Sequence, residues 1–96
     1  MTIDDYAQWA AAARPVGDSR AERLAYFALG LIGEAGEVAD TARKMMRDGT
    51  LDEDRLVYEL GDIVYHWACL CAELGQTPSG LLAKSQANIT KRLAAA

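Results

Sequence analysis

Two long segments of the chain carry apolar residues in the alternating three- and four-residue spacing of a packed helix. The apolar positions of the first segment are Leu24, Phe27 or Ala28, Leu31, Ala35, Val38, Ala42 and Met45, and those of the second are Leu56, Leu60, Ile63, Trp67, Leu70 and Leu74. Only a short turn around Asp48 and Gly49 separates the two segments. The spacing therefore predicts two antiparallel helices that form a hairpin.

Helix start and stop signals divide the rest of the chain. The predicted N-caps are Thr2, Ser19, Thr50 and Thr77, the last followed by Pro78. Predicted stops are residues 14–17, Gly49 and Gly75. These signals place helices at about 3–14, 20–48, 51–74 and 78–93, and no stretch shows the two-residue alternation of a strand. We expect one all-α domain over residues 1–96, a four-helix unit with the hairpin at its centre.

Composition and charge exclude several classes of function. The net charge of −4 argues against broad binding to a nucleic acid polymer. No apolar run approaches the roughly 20 residues that span a bilayer, and the start MTIDDYAQW is acidic, so we expect a cytoplasmic protein without membrane contact. Cys69 and Cys71 are expected to be reduced. A chain of 96 residues buries a modest core, which favours a homo-oligomer, either a dimer or a tetramer.

Two pairs of acidic residues lie on the predicted hairpin. Glu34 and Glu37 are three residues apart, and so are Glu59 and Asp62, so each pair shares one helix face. Both pairs are rotated to the same side of their apolar positions, and in an antiparallel hairpin that brings all four carboxylates together. Such a cluster repels itself unless a cation is bound, and hard oxygen ligands suit Mg²⁺, with Mn²⁺ as a substitute. The sequence therefore predicts a divalent metal site.

Three glycines interrupt the first of these helices at three-residue intervals, in the stretch GLIGEAGEVAD. Each glycine inside a helix costs about 1 kcal/mol relative to alanine. Gly30, Gly33 and Gly36 would let either a ligand or another helix approach the backbone beside the glutamates. The sequence alone slightly favours the helix contact.

The stretch GLIGEAGEVAD followed by YELGDIVYHWACLCAELG resembles the MazG-like nucleoside triphosphate pyrophosphohydrolases. Their signature is E-x-x-E and then E-x-x-D, which fits Glu34, Glu37, Glu59 and Asp62. The resemblance implies a four-helix unit that forms a dimer or a dimer of dimers. It also implies Mg²⁺-dependent hydrolysis of a (deoxy)nucleoside triphosphate to the monophosphate and pyrophosphate.

The same resemblance implies roles for individual residues. A water would attack phosphorus, and the base that takes its proton stays open between Glu37 and Glu34, with Glu37 preferred because it lies further from the core. Four residues are predicted to bind substrate: Asn88 and Lys91 from the resemblance, and Lys44 and His66 from their positions on the flanks that carry the carboxylates. Asn88 and Lys91 correspond to a basic and amide set on the last helix of family members. For each of the four, the alternative is a solvated surface residue.

Two other interpretations of the carboxylates are weighed against this one. A ferritin-like di-iron site needs Glu-x-x-His twice, and the chain has one histidine. The other alternative is a non-enzymatic helical module for oligomerisation or metal binding. Tyr6 and Trp9, which have the flat rings that stack on bases, are expected instead to pack the first helix.

Overall fold

The computed structural model describes residues 1–13, 17 and 19–96. It contains helices α1 (Ile3–Ala13), α2 (Arg20–Asp48), α3 (Glu53–Glu73) and α4 (Pro78–Ala95). No strand occurs within these described ranges. The all-α prediction with four helices is therefore confirmed.

Local capping explains most of the helix ends. Ser19 Oγ accepts a hydrogen bond from the Glu22 N–H at 3.1 Å, and Thr77 Oγ1 accepts one from the Gly80 N–H at 3.1 Å. Gly49 ends α2 in the left-handed region with φ 75°, where its N–H donates to the Met45 carbonyl. The predicted end of the first helix at residues 14–17 lies, apart from Gly17, outside the described residues.

The predicted N-cap of the third helix was wrong. Asp52, not Thr50, caps α3, because its carboxylate accepts a 3.1 Å hydrogen bond from the Arg55 N–H. Asp caps as well as Thr does, and its negative charge also interacts favourably with the helix dipole. The helix therefore begins two residues later than predicted, at Glu53.

Helices α2 and α3 pack as the predicted antiparallel hairpin. Near the start of α2, Arg23 Nε lies 2.7 Å from Oε1 of Glu73, the last residue of α3. Further along α2, Thr41 bonds to Glu59 in the first half of α3. The early part of one helix thus meets the late part of the other. In this antiparallel arrangement, the acidic pair on α2 lies beside the acidic pair on α3.

The core lies at the end of the hairpin away from the turn. Its buried residues are Ala7, Ala10, Phe27, Ala68 and Cys69. Helix α1 packs on α3 there, and the small alanines allow the backbones to come close. The half of the hairpin near the turn has no such cover within the described residues, because α1 contacts only α3 and α4.

Four positions of the predicted apolar seam are exposed in the single chain. Leu60 is 48% and Leu74 50% exposed, and Ala35 and Ala42 are exposed as well. A two-helix hairpin covers only one face of each helix, so residues at the edge of the seam stay open. Further large apolar side chains on the outer faces are more than 60% exposed, namely Leu29, Ile32, Met46, Val57 and Tyr58.

Helix α4 is held mainly at its first turn. Ser79 donates twice to the Asp4 carboxylate, from its N–H at 2.9 Å and from Oγ at 2.5 Å. Pro78 is buried, whereas residues 86–96 are all exposed. None of the described helices is long and apolar enough to cross a bilayer.

Candidate metal centre

The hairpin brings the two acidic pairs to one level of the molecule. Glu34 and Glu37 project from α2, and Glu59 and Asp62 project from α3. Glu59 is almost fully buried, with 2% of its surface exposed. Glu34 and Asp62 are partly buried, and Glu37 is exposed. The cluster therefore runs from the helix interface out to solvent.

The four carboxylates are close enough to affect one another. Burial raises the pKa of Glu34, and the negative charges of Glu37, Asp62 and Glu59 raise it further. Charges from both helices therefore act on one carboxyl group. The structure thus gathers the four predicted ligands into a single electrostatic cluster.

Two buried oxygens in this cluster have no hydrogen-bond partner. Glu59 Oε1 accepts a 2.7 Å hydrogen bond from Thr41, but Glu59 Oε2 accepts none. Its nearest cation is Arg55, whose Nε lies 3.7 Å away. Glu34 Oε2 is likewise buried without a partner. A buried carboxylate oxygen that is not hydrogen-bonded is costly, and a bound cation would offset that cost.

The cluster is not a finished coordination sphere. In the part of the chain that the structure describes, no group of three or more His, Cys, Asp or Glu side chains is arranged so that it could hold a metal ion. Like charges in such a cluster repel one another where no cation neutralises them. To share an ion, their side chains would have to turn toward a common point.

His66 packs directly against the backbone of α2 at Gly30. A Cβ atom on residue 30 would lie 2.4 Å from His66 Cε1 and 2.6 Å from Nδ1, so only glycine fits beneath the ring. The ring also contacts Phe27 and Tyr65, with centroid distances of 6.4 and 5.5 Å. His66 Nδ1 is buried without a hydrogen-bond partner.

The other two glycines of the stretch differ from Gly30. No atom lies within 4 Å of where a Cβ would stand at Gly33 or Gly36. Within the described chain, close helix contact therefore explains Gly30 only. Gly33 and Gly36 leave the flank beside Glu34 and Glu37 open.

The predicted cationic and amide residues lie in two places. Lys44 is exposed two turns beyond Glu37, and its Nζ lies 3.2 Å from Asp40 Oδ2. Asn88 and Lys91 are exposed on α4 and make no hydrogen bond or ion pair with the described residues. Helix α4 contacts α1 and α3 but not α2, so the chain does not bring these two residues to the pair on α2.

The aromatic residues of α1 contact one another and α3, but Trp9, contrary to the prediction, does not lie in the core. Trp9 lies 5.5 Å from Tyr6 and 6.4 Å from Tyr65 between ring centroids. Although Trp9 is 58% exposed, these contacts account for its position. Burial raises the pKa of Tyr6, and the charges of Cys69 and Asp62 raise it further.

Sequence reasoning missed two polar neighbours of the cluster, Thr41 and Arg55. Arg55 stands between two open depressions of about 380 and 320 Å³, the first shared with Glu37 and Glu59 and the second with Thr41 and Lys44. The only signal for Arg55 was its four-residue spacing from Glu59, which is typical of a helical ion pair. No pattern in the sequence pointed to Thr41.

Comparison with known proteins identifies the family of this chain. The chain is 41% identical over 58 residues to the Gene 37 protein of Mycobacterium phage L5. That match covers 55% of this chain and 51% of the phage protein, so it spans about half the length of this relative. No solved structure matches the chain significantly. The family model described as the MazG nucleotide pyrophosphohydrolase domain matches residues 24–91, which include all four clustered carboxylates, and the chain therefore belongs to this family.

Proposed function

We propose that this protein hydrolyses a (deoxy)nucleoside triphosphate to the monophosphate and pyrophosphate, with Mg²⁺ bound by the acidic cluster. One observation carries the proposal within the matched family. The buried oxygens Glu34 Oε2 and Glu59 Oε2, on facing helices, have no hydrogen-bond partner and belong to a cluster of four carboxylates. Such oxygens are suited to a hard divalent cation.

The residues that would hold the ion are Glu34, Glu37, Glu59 and Asp62. When bound, Mg²⁺ or Mn²⁺ would neutralise phosphate charge and lower the pKa of a water molecule. Glu37 is the proposed base because it is the exposed member of the cluster and can reach a water from the solvent side. Glu34 is the second choice, and its raised pKa shows that it holds a proton more tightly than usual.

Cations beside the cluster would bind the phosphate chain. Arg55 and Lys44 both line the depression of about 320 Å³ next to Glu59 and Thr41, and a guanidinium can pair with two phosphate oxygens at once. His66 would face the nucleotide from the α3 side. Arg55 Nε lies 3.7 Å from Glu59 Oε2, and a phosphate group would compete with that carboxylate for the guanidinium.

The proposal includes a homo-oligomer. Four large apolar side chains on α2 and α3 are each more than 60% exposed, namely Leu29, Ile32, Val57 and Tyr58, and exposed apolar surface of this kind favours contact with a second copy. Asn88 and Lys91 do not approach α2 of their own chain, so we place them at the site of a second copy. The proposed substrate also places the protein in the cytoplasm.

The test is a screen of nucleoside triphosphates for pyrophosphate release in the presence of Mg²⁺. Glu37→Gln is expected to lower kcat by about 10²–10⁴-fold, the usual contribution of general base catalysis. Asp62→Asn should raise the Mg²⁺ concentration needed for half-maximal rate. Glu53→Gln, an exposed acid at the start of α3, is the matched control and should keep full activity.

Two results would reject the proposal. Full activity in both Glu37→Gln and Asp62→Asn would remove the cluster from the reaction. Thermal stabilisation by Mg²⁺ without pyrophosphate release from any triphosphate would favour the alternative of a non-enzymatic metal-binding helical module.

A further inference from the structure

Thr41 is a buried polar residue in the half of the hairpin near the turn. It is 6% exposed, and Glu59 is the other buried polar residue in the described part of the chain. Thr41 Oγ1 donates to Glu59 Oε1 at 2.7 Å, across the α2–α3 interface. A hydroxyl inside a helix can donate to the carbonyl one turn earlier, but here it donates to the opposite helix.

This hydrogen bond restricts the Glu59 carboxylate. The β-branched Thr41 side chain has few allowed rotamers in a helix, so its hydroxyl is a rigid donor. Thr41 restrains Oε1, and Oε2 is left without a hydrogen bond inside the cluster. Arg55 Nε, at 3.7 Å from Oε2, is too distant to fix that oxygen by a hydrogen bond.

We propose that Thr41 is a positioning residue that orients Glu59 so that Oε2 is presented to the divalent cation. The inference rests on the proposed metal centre, and it assigns to this chain a hydroxyl that supports one of the four ligands. A hydrogen bond to the second oxygen of a ligating carboxylate sets its direction and its basicity. Loss of such a partner typically weakens metal binding by about 10–100-fold.

The alternative is that Thr41 only joins the two helices. Thr41→Val keeps the shape and removes the hydroxyl, whereas Thr41→Ser keeps the hydroxyl and removes a methyl group. A joining role predicts lower stability in Thr41→Val with unchanged metal affinity. A positioning role predicts weaker metal affinity in Thr41→Val and rescue by Thr41→Ser.

Titration calorimetry with Mn²⁺ alone, on the full chain, separates the two roles. We expect the Kd of Thr41→Val for Mn²⁺ to rise by about tenfold or more and that of Thr41→Ser to stay within about threefold of the wild type. Circular dichroism establishes that each variant is folded. If Thr41→Val does not fold, Thr41→Ala and Thr41→Ser are compared in the same way, because neither adds volume to the interface.

Wild-type affinity in a folded variant without the hydroxyl would overturn the inference, and so would a wild-type chain that does not bind Mn²⁺. The measurement does not depend on catalysis, so failure of the proposed hydrolysis is distinguishable. A chain that binds Mn²⁺ with the expected Thr41 dependence but releases no pyrophosphate would support this inference and reject the enzymatic function. If pyrophosphate release depends on Glu37 but the Mn²⁺ affinity of Thr41→Val is unchanged, the enzymatic function would be supported and this inference would be rejected.

Discussion

Replacing Gly30 by alanine should destabilise the protein, although alanine is the better helix former. On propensity alone the change would stabilise α2 by about 1 kcal/mol. The new Cβ, however, would lie 2.4, 2.6 and 2.9 Å from three atoms of the His66 ring. The ring can move away only by leaving its contacts with Phe27 and Tyr65. Overpacking of this kind costs about 1–3 kcal/mol, so we expect a net loss of up to about 2 kcal/mol.

Thermal unfolding followed by circular dichroism measures this effect against two internal controls. Gly33→Ala and Gly36→Ala make the same substitution in the same helix, at positions where no atom lies within 4 Å of the added Cβ. They should gain about 1 kcal/mol each, which raises Tm by roughly 4–8 °C in a domain of this size. Gly30→Ala should lower Tm in the wild-type chain but not in a chain that already carries His66→Ala. An equal rise in Tm for all three alanine variants would refute the reasoning.

Two further predictions concern the charged groups. The pKa of Glu34 is raised by burial and by its acidic neighbours, so the stability of the metal-free protein should fall as pH rises from the ordinary glutamate value of 4.5 through the higher folded value. Glu34→Gln should therefore raise the metal-free Tm at pH 7 but not near pH 4, and should remove the rise in Tm on adding Mn²⁺; an unchanged Mn²⁺ response would exclude Glu34 as a ligand. The pKa of Asp4 is lowered by its two hydrogen bonds from Ser79, so its contribution is present above the ordinary aspartate value of 3.8 and is lost as pH falls through the folded value. Asp4→Asn should accordingly lower Tm at neutral pH and make little difference near pH 2, as pH-dependent melting curves would show.

The helices and the acidic cluster could be predicted because both follow from spacing along a helix. Caps such as Ser19 and Thr77 mark the starts of α2 and α4 by local hydrogen bonds that sequence alone specifies. The same periodicity predicted that Glu34 and Glu59 would face each other. The level of a residue along a hairpin depends on its distance in sequence from the turn and on the rise per residue of the helix. A short turn makes the two helices antiparallel.

The structural features that could not be predicted from the sequence depend on contacts between helices. The bond from Thr41 to Glu59 requires the exact rotation of two helices about their axes, which spacing gives only to within a residue or so. The choice of Asp52 over Thr50 as N-cap was undetermined because both residue types cap well. The hydrogen bonds from Ser79 to Asp4, which join the first turn of α4 to α1, are likewise not encoded in any periodic pattern.

The small core also gives the protein a built-in chemical reporter. Cys69 and Cys71, the two cysteines of the chain, are reduced and are 0% and 1% exposed. Burial also raises the pKa of Cys71, so its reactive thiolate is scarce in the native state. A thiol-alkylating reagent should therefore modify these sulfurs only when the helices part, and the alkylation rate would time that opening in native buffer without any introduced label.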